Sequence, residues 1–174
     1  MIPPLDQGGL ERLALHYLGR YATTRAKLAA YLHRKLDARG WAEDGPRPVD
    51  AIVERMAALG YVDDRAFAEM KSAALGRRGY GQRRQADALR AAGVAEEDRS
   101  AVFEAREEAE EDGDHAAALA FARRKRIGPF APAPADPDAR RKALAAMMRA
   151  GHPYALARRF VDSPPGEPPD PDIV

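Results

Sequence analysis

The chain has 174 residues, 28 Lys and Arg against 27 Asp and Glu, and no cysteine. Disulfides and thiolate chemistry are therefore excluded, no apolar run approaches the length of a membrane span, and a cytoplasmic location is expected. Alanine supplies 37 residues and leucine 14, while Val and Ile together reach 11, which favours helix over strand.

The first expected helix covers about 10–20, with Leu10, Leu13, Ala14, Tyr17 and Leu18 on one stripe. Thr23 or Thr24 caps a second, which carries Leu28, Tyr31, Leu32 and Leu36 and ends at Gly40. After the loop 41–48 a short third helix turns Ile52, Val53, Met56 and Leu59 inward and stops at Gly60. Asp63 or Asp64 opens a fourth, with Phe67, Met70, Ala74 and Leu75 apolar. A fifth spans about 82–92. A sixth starts near Glu96 with an acidic first turn that suits the helix dipole. A seventh runs over about 115–125 and an eighth over 139–150. Pro153 opens a ninth. The proline-rich acidic tail from Ser163 is expected to be disordered.

Helix-ending pairs recur at Gly40-Trp41, Gly93-Val94 and Gly151-His152, spaced by 53 and 58 residues. They divide the chain into three degenerate three-helix modules at 10–60, 61–110 and 114–162. Such modules stack into an elongated all-α array, and one irregular nine-helix globule is the alternative that periodicity leaves open.

Charge is segregated. Between Arg65 and Arg90 seven basic residues face two acidic ones, whereas Glu96 to Asp114 holds ten acidic residues against Arg99 and Arg106. Arg123, Arg124, Lys125 and Arg126 form a second basic run and Arg140, Arg141 and Lys142 a third. The cluster from Arg77 to Arg84, within the basic segment that also carries Lys71 and Arg90, is glycine-interrupted and so lies at an inter-helix turn, where backbone donors are also available to an anion. Tyr80, among these arginines, either stacks on a partner group or plugs the helix junction.

Enzyme signatures are missing. G-R-R-G-Y-G follows no strand and lacks a Gly-Lys-Ser/Thr ending, so it is neither a dinucleotide fingerprint nor a phosphate loop. Capping accounts better for Asp63 and Asp64 than paired acid chemistry. The row Glu107, Glu108, Glu110, Glu111, Asp112 and Asp114 lacks the ligand spacing of a calcium loop. The four histidines are given structural roles. No cofactor or metal is expected.

The stretch LGYVDDRAFAE, Leu59 to Glu69, resembles the central signature of the RecX regulatory family. Arg77, Arg78, Gly79, Tyr80 and Gly81, followed by Leu89, Gly93 and Val94, match its next helix, and Thr24, Arg25, Ala26, Lys27 and Leu28 its first-module motif. The resemblance covers roughly 10–162. Phe121 to Phe130 and the 142–159 region look like the form found in alphaproteobacterial members. The resemblance implies a curved body of three tandem three-helix modules and a non-enzymatic modulator, usually an inhibitor, of the RecA recombinase. Such a protein engages the RecA filament on single-stranded DNA and suppresses strand exchange, ATP hydrolysis and co-protease activity. The expected contact residues are Lys71, Arg77, Arg78, Tyr80, Arg83, Arg84, Arg90, Arg123, Arg124, Lys125, Arg126 and Lys142, on a monomer with at most weak nonspecific DNA binding and no membrane contact. A stand-alone DNA-binding protein with helix-turn-helix-like modules is the second functional expectation.

Overall fold

The computed structural model describes residues 3–108 and 113–171. Within them the chain is all-α, with nine α-helices and one 3-10 turn among the described residues. In order these are α1 (Gln7–Leu18), α2 (Arg25–Arg39), α3 (Val49–Ala58), α4 (Asp64–Arg77), α5 (Gln82–Ala91), α6 (Glu96–Glu108), α7 (Gly113–Lys125), α8 (Pro137–Arg149) and α9 (Tyr154–Asp162). The acidic residues Glu110, Glu111 and Asp112, and the module boundary at 110, lie outside the described residues.

Chain contacts define two compact units, Met1–Ala68 with Arg90–Asp98, and Glu69–Leu89 with Arg99–Val174. The core of the first is built from α1, α2 and α3. Leu10, Ala14, Leu28, Leu32, Leu36, Ile52, Val53 and Met56 are buried at the spacing their helices dictate, with Leu5, Val49 and Val62 closing the cluster. Leu59, expected inward, is 57% exposed, because α3 ends at Ala58 and the turn swings it away from the stripe.

Caps fix the helix starts. Asp6 accepts from the Gly9 N–H at 2.6 Å, so α1 begins three residues before its first leucine despite Gly8 and Gly9. Thr24 accepts from the Lys27 N–H. Asp63 accepts from the Ala66 N–H at 2.8 Å, which makes it the cap of α4. Its neighbour Asp64 reaches across to the Arg25 N–H at 2.9 Å and satisfies a second orphan donor of α2. Burial pushes the Asp64 carboxyl up, against the opposing pull of the Arg25 backbone hydrogen bond and guanidinium.

The end of α5 meets the start of α2. The Thr24 hydroxyl donates to the Ala92 carbonyl at 2.6 Å, and a Cβ on Gly93 would collide with the Ala26 methyl.

In the second unit, α7, α8 and α9 enclose Ala118, Phe121, Ala122, Met147, Ala157, Phe160 and Val161. The turn between α4 and α5 is seated on them. The Gly81 N–H donates to the Ala150 carbonyl at 2.9 Å and the Arg83 N–H to the Gly151 carbonyl at 3.3 Å. A Cβ on Gly151 would stand 2.5 Å from the Arg84 nitrogen, and one on Gly81 would strike the Gly151 carbonyl. The construction repeats that of Thr24 and Gly93: a left-handed glycine at the end of one helix lies against the first residues of another. Gly81 follows Thr24 by 57 residues, and Ala150 follows Ala92 by 58.

A buried polar network ties α4, α5 and α6 together. The Ser72 hydroxyl and the Arg106 guanidinium both donate to Gln85 Oε1, at 2.6 and 3.0 Å, while Gln85 Nε2 donates to the Tyr80 carbonyl at 2.7 Å. Every polar atom of the Gln85 side chain is thereby engaged in an apolar setting where an unpaired group is costly.

Residues 163–171 make hydrogen bonds to the rest of the second unit. Gly166 donates its N–H to the Pro129 carbonyl at 2.8 Å, His115 Nε2 donates to the Pro169 carbonyl at 2.9 Å, and Arg159 donates to the Asp170 carbonyl. Two of these carbonyls, those of Pro169 and Asp170, thus take their donors from side chains of α7 and α9.

Gly151→Ala is expected to lower stability by about 2–4 kcal/mol, combining left-handed strain with a backbone collision. Gly166→Ala has open space around it, so only conformational strain of about 1 kcal/mol applies. Urea denaturation of the two variants checks this; equal costs would remove the significance given to the close approach.

Candidate nucleoprotein interface

The sequence-predicted basic residues separate into one tight cluster and several outliers. The cluster surrounds Tyr80. Tyr80 is half-buried and packs against the core of the second unit. The Arg78, Arg124 and Arg84 guanidinium carbons stand 5.6, 5.8 and 6.0 Å from its centroid. Arg124 also lies 5.3 Å from the Phe121 ring and donates to the Arg78 carbonyl. Three positive side chains, from the turn after α4, from α5 and from α7, are thus gathered around the Tyr80 ring, and their planar guanidinium forks suit phosphate or carboxylate.

Arg84 connects this cluster with a cleft. Arg83, Arg84, Asp87, Met148, Arg149 and Gly151 line its basic part, about 290 Å³ in volume. Arg123 is placed elsewhere, 5.2 Å from the Phe130 ring. Arg77, Lys125, Arg126 and Lys142 are exposed, and Lys71 is half-buried on α4. Arg126 has a positive φ of 54°, terminating α7 and diverting its side chain from the helical register. Arg90 belongs to the first unit. Arg149, Met148 and Tyr154 were not among the sequence candidates. Their one signal is the Met147-Met148 pair, since adjacent helical residues cannot both face one core.

His152 holds the base of the turn. It is 4% exposed, its Nε2 donates to the Gly79 carbonyl at 3.0 Å, and its ring meets Phe121 edge-on at 5.7 Å. Donation from Nε2 leaves Nδ1 unprotonated, buried and without a hydrogen-bond partner. Burial pushes the imidazole pKa down, only partly countered by the Gly79 hydrogen bond and the field of Asp114.

No group of three or more metal-ligating side chains occurs among the described residues, and none of their helices is long and apolar enough to cross a membrane. The arrangement has the chemistry of anion recognition. Over 163 residues the chain is 38% identical to Regulatory protein RecX of Myxococcus xanthus strain DK1622, covering 90% of this chain and 86% of that protein. The chain belongs to the RecX regulatory protein family. Regulatory protein RecX of Agrobacterium fabrum is 32% identical over 155 residues, covering 85% of this chain and 79% of the relative. The fold is shared with RecX from Lactobacillus salivarius, with a TM-score of 0.63, 17% identity and coverage of 88% and 93% of the two chains. A second solved RecX regulatory protein also gives 0.63, at 19% identity, with coverage of 90% and 72%. No protein-family model matches the chain.

The depressed His152 pKa has a defined consequence for this RecX-family protein. Above the ordinary histidine value of 6.5 both folded and unfolded states carry a neutral ring. Below it the unfolded chain takes up a proton that the folded chain resists, so stability falls as pH drops from 6.5 toward the folded value. His152→Gln keeps a donor for Gly79 and cannot titrate. Urea unfolding between pH 7.5 and about 5 is expected to show a steeper loss for the wild-type chain than for this variant; parallel losses would assign the slope to other groups.

Proposed function

We propose that this chain regulates a RecA-type recombinase without catalysis, by binding the nucleoprotein filament on single-stranded DNA and suppressing strand exchange, ATP hydrolysis and co-protease activity. The observation that carries the reading is the set of three guanidinium groups gathered around Tyr80, in a chain whose relatives are RecX regulatory proteins. A filament offers a repeating lattice of DNA phosphates and protein carboxylates. Arginines pre-arranged on aromatic rings lose little freedom when they meet such groups, and several weak contacts on one lattice combine through effective concentration.

In this reading the chain consists of tandem modules at 10–60, 61–110 and 114–162, linked by the two glycine junctions, and acts as a cytoplasmic monomer. Lys71, Arg77, Lys125, Arg126 and Lys142 extend the basic surface, with Arg83, Arg90 and Arg123 as additional contacts. Restricting movement between recombinase protomers would block strand exchange and nucleotide turnover together. The finer likeness to alphaproteobacterial members rests on the 121–130 and 142–159 stretches. The DNA-only reading makes a different prediction: binding to naked DNA as tight as binding to the filament.

Replacing Arg78, Arg84 and Arg124 together by Ala is expected to weaken filament binding about tenfold to a hundredfold, from roughly 0.5–1 kcal/mol per exposed charge contact. Inhibition of strand exchange should fall in parallel, and the salt dependence of binding should become shallower. Undiminished inhibition by the triple variant would remove the cluster from the mechanism.

A further inference from the structure

Beside the Tyr80 cluster, α5, α6 and the α8–α9 turn enclose a second part of the cleft, about 460 Å³ in volume and lined by Gln82, Arg83, Ala86, Phe103, Met148, Gly151, His152, Pro153 and Tyr154. Arg83, Met148 and Gly151 line both parts, so basic rim and apolar floor are continuous. Met148 is 42% exposed and Tyr154 53% exposed, although each belongs to a well-packed helix. These large apolar side chains are held toward solvent at the mouth of one pocket. The rim carries three guanidinium groups, from Arg83, Arg84 and Arg149, against the single carboxylate of Asp87.

We propose that this cleft docks an acidic segment of a protein partner bearing one large apolar side chain, with that side chain on Phe103, Met148 and Tyr154 and its flanking carboxylates on Arg83, Arg84 and Arg149. The proposal rests on the filament-binding reading above and assigns this part of the contact to protein rather than DNA. Three features favour protein. The floor formed by Phe103, Met148 and Pro153 is apolar, so an aliphatic or aromatic side chain seated on it leaves no polar group of its own unpaired. The thioether of Met148 adapts its shape to such a side chain. The lining is rich in Arg, Met and aromatic residues and contains no lysine, the composition of a protein-interface centre.

The test compares the full-length chain with its Met148→Glu, Tyr154→Ser and Arg149→Glu variants. Two probes are used: recombinase filaments assembled on oligo(dT) with a nonhydrolysable nucleotide, and free oligo(dT). Thermal unfolding by circular dichroism verifies that each variant is folded, and Met148→Leu serves as the conservative control. Binding to the filament is expected to weaken about tenfold or more for Met148→Glu and Tyr154→Ser. Met148→Leu should bind as the parent does, and these three variants should leave oligo(dT) binding unchanged. Arg149→Glu should weaken filament binding by a larger factor than oligo(dT) binding. Equal losses on both probes would place nucleic acid in the cleft and overturn the proposal. Full filament binding by folded Met148→Glu and Tyr154→Ser would overturn it while leaving the filament reading intact. Failure of the parent chain itself to bind filaments would instead sink that reading, and this proposal with it.

Discussion

At the α4–α5 turn two backbones meet with no side chain between them. Gly81 and Gly151 are so close that a single methyl group on either would overlap the opposite main chain. This approach is favourable because it closes hydrogen bonds from Gly81 to Ala150 and from Arg83 to Gly151. It also determines where Tyr80, Arg83 and Arg84 stand, since they flank the contact by one to three residues. Gly79 continues the constraint: a Cβ there would come within 2.7 Å of the Phe121 nitrogen. Thr24, Ala26, Ala92 and Gly93 build the corresponding contact in the first unit, but with a hydroxyl and a methyl in place of the second glycine.

That backbone constraint explains how a chain of net charge +1 can present a strongly basic site. The net figure averages over acidic and basic segments, whereas an approaching partner senses the local field. Separate surface arginines contribute little, being well hydrated and mobile. Here Tyr80 and Phe121 supply aromatic surface that orients the guanidinium planes, and the Arg78 carbonyl takes one donor from Arg124. Mutual repulsion among three like charges is relieved when an anion arrives, so the cluster is suited to binding more than to stability. Beneath it Ser72, Gln85 and Arg106 keep the supporting helices in register.

Much of the helical architecture is legible in the residues. Leu28, Leu32 and Leu36 mark one buried stripe, and Gly40, Gly93 and Gly151 all adopt the positive φ that glycine provides at helix ends. Other boundaries are concealed by competing propensities. Gly8 and Gly9 disguise the first turn of α1, which exists because Asp6 caps it, and Pro137 opens α8 behind a proline-rich loop. The arginines from 77 to 84 stand out by density, yet Arg124 joins Tyr80 from 44 residues away, a tertiary relation no local pattern contains. The apolar cleft is equally hidden. Phe103, Met148 and Tyr154 read as ordinary helical residues until the turns bring them to one mouth.

The central claim is that the glycine-seated turn carries the surface that meets a recombinase filament. A cryo-EM map of the chain on recombinase filaments with single-stranded DNA and a nonhydrolysable nucleotide addresses it directly. The account requires Tyr80, Arg78, Arg84 and Arg124 to lie against filament density. A map in which these four side chains face open solvent, with the chain held by another surface, would contradict it.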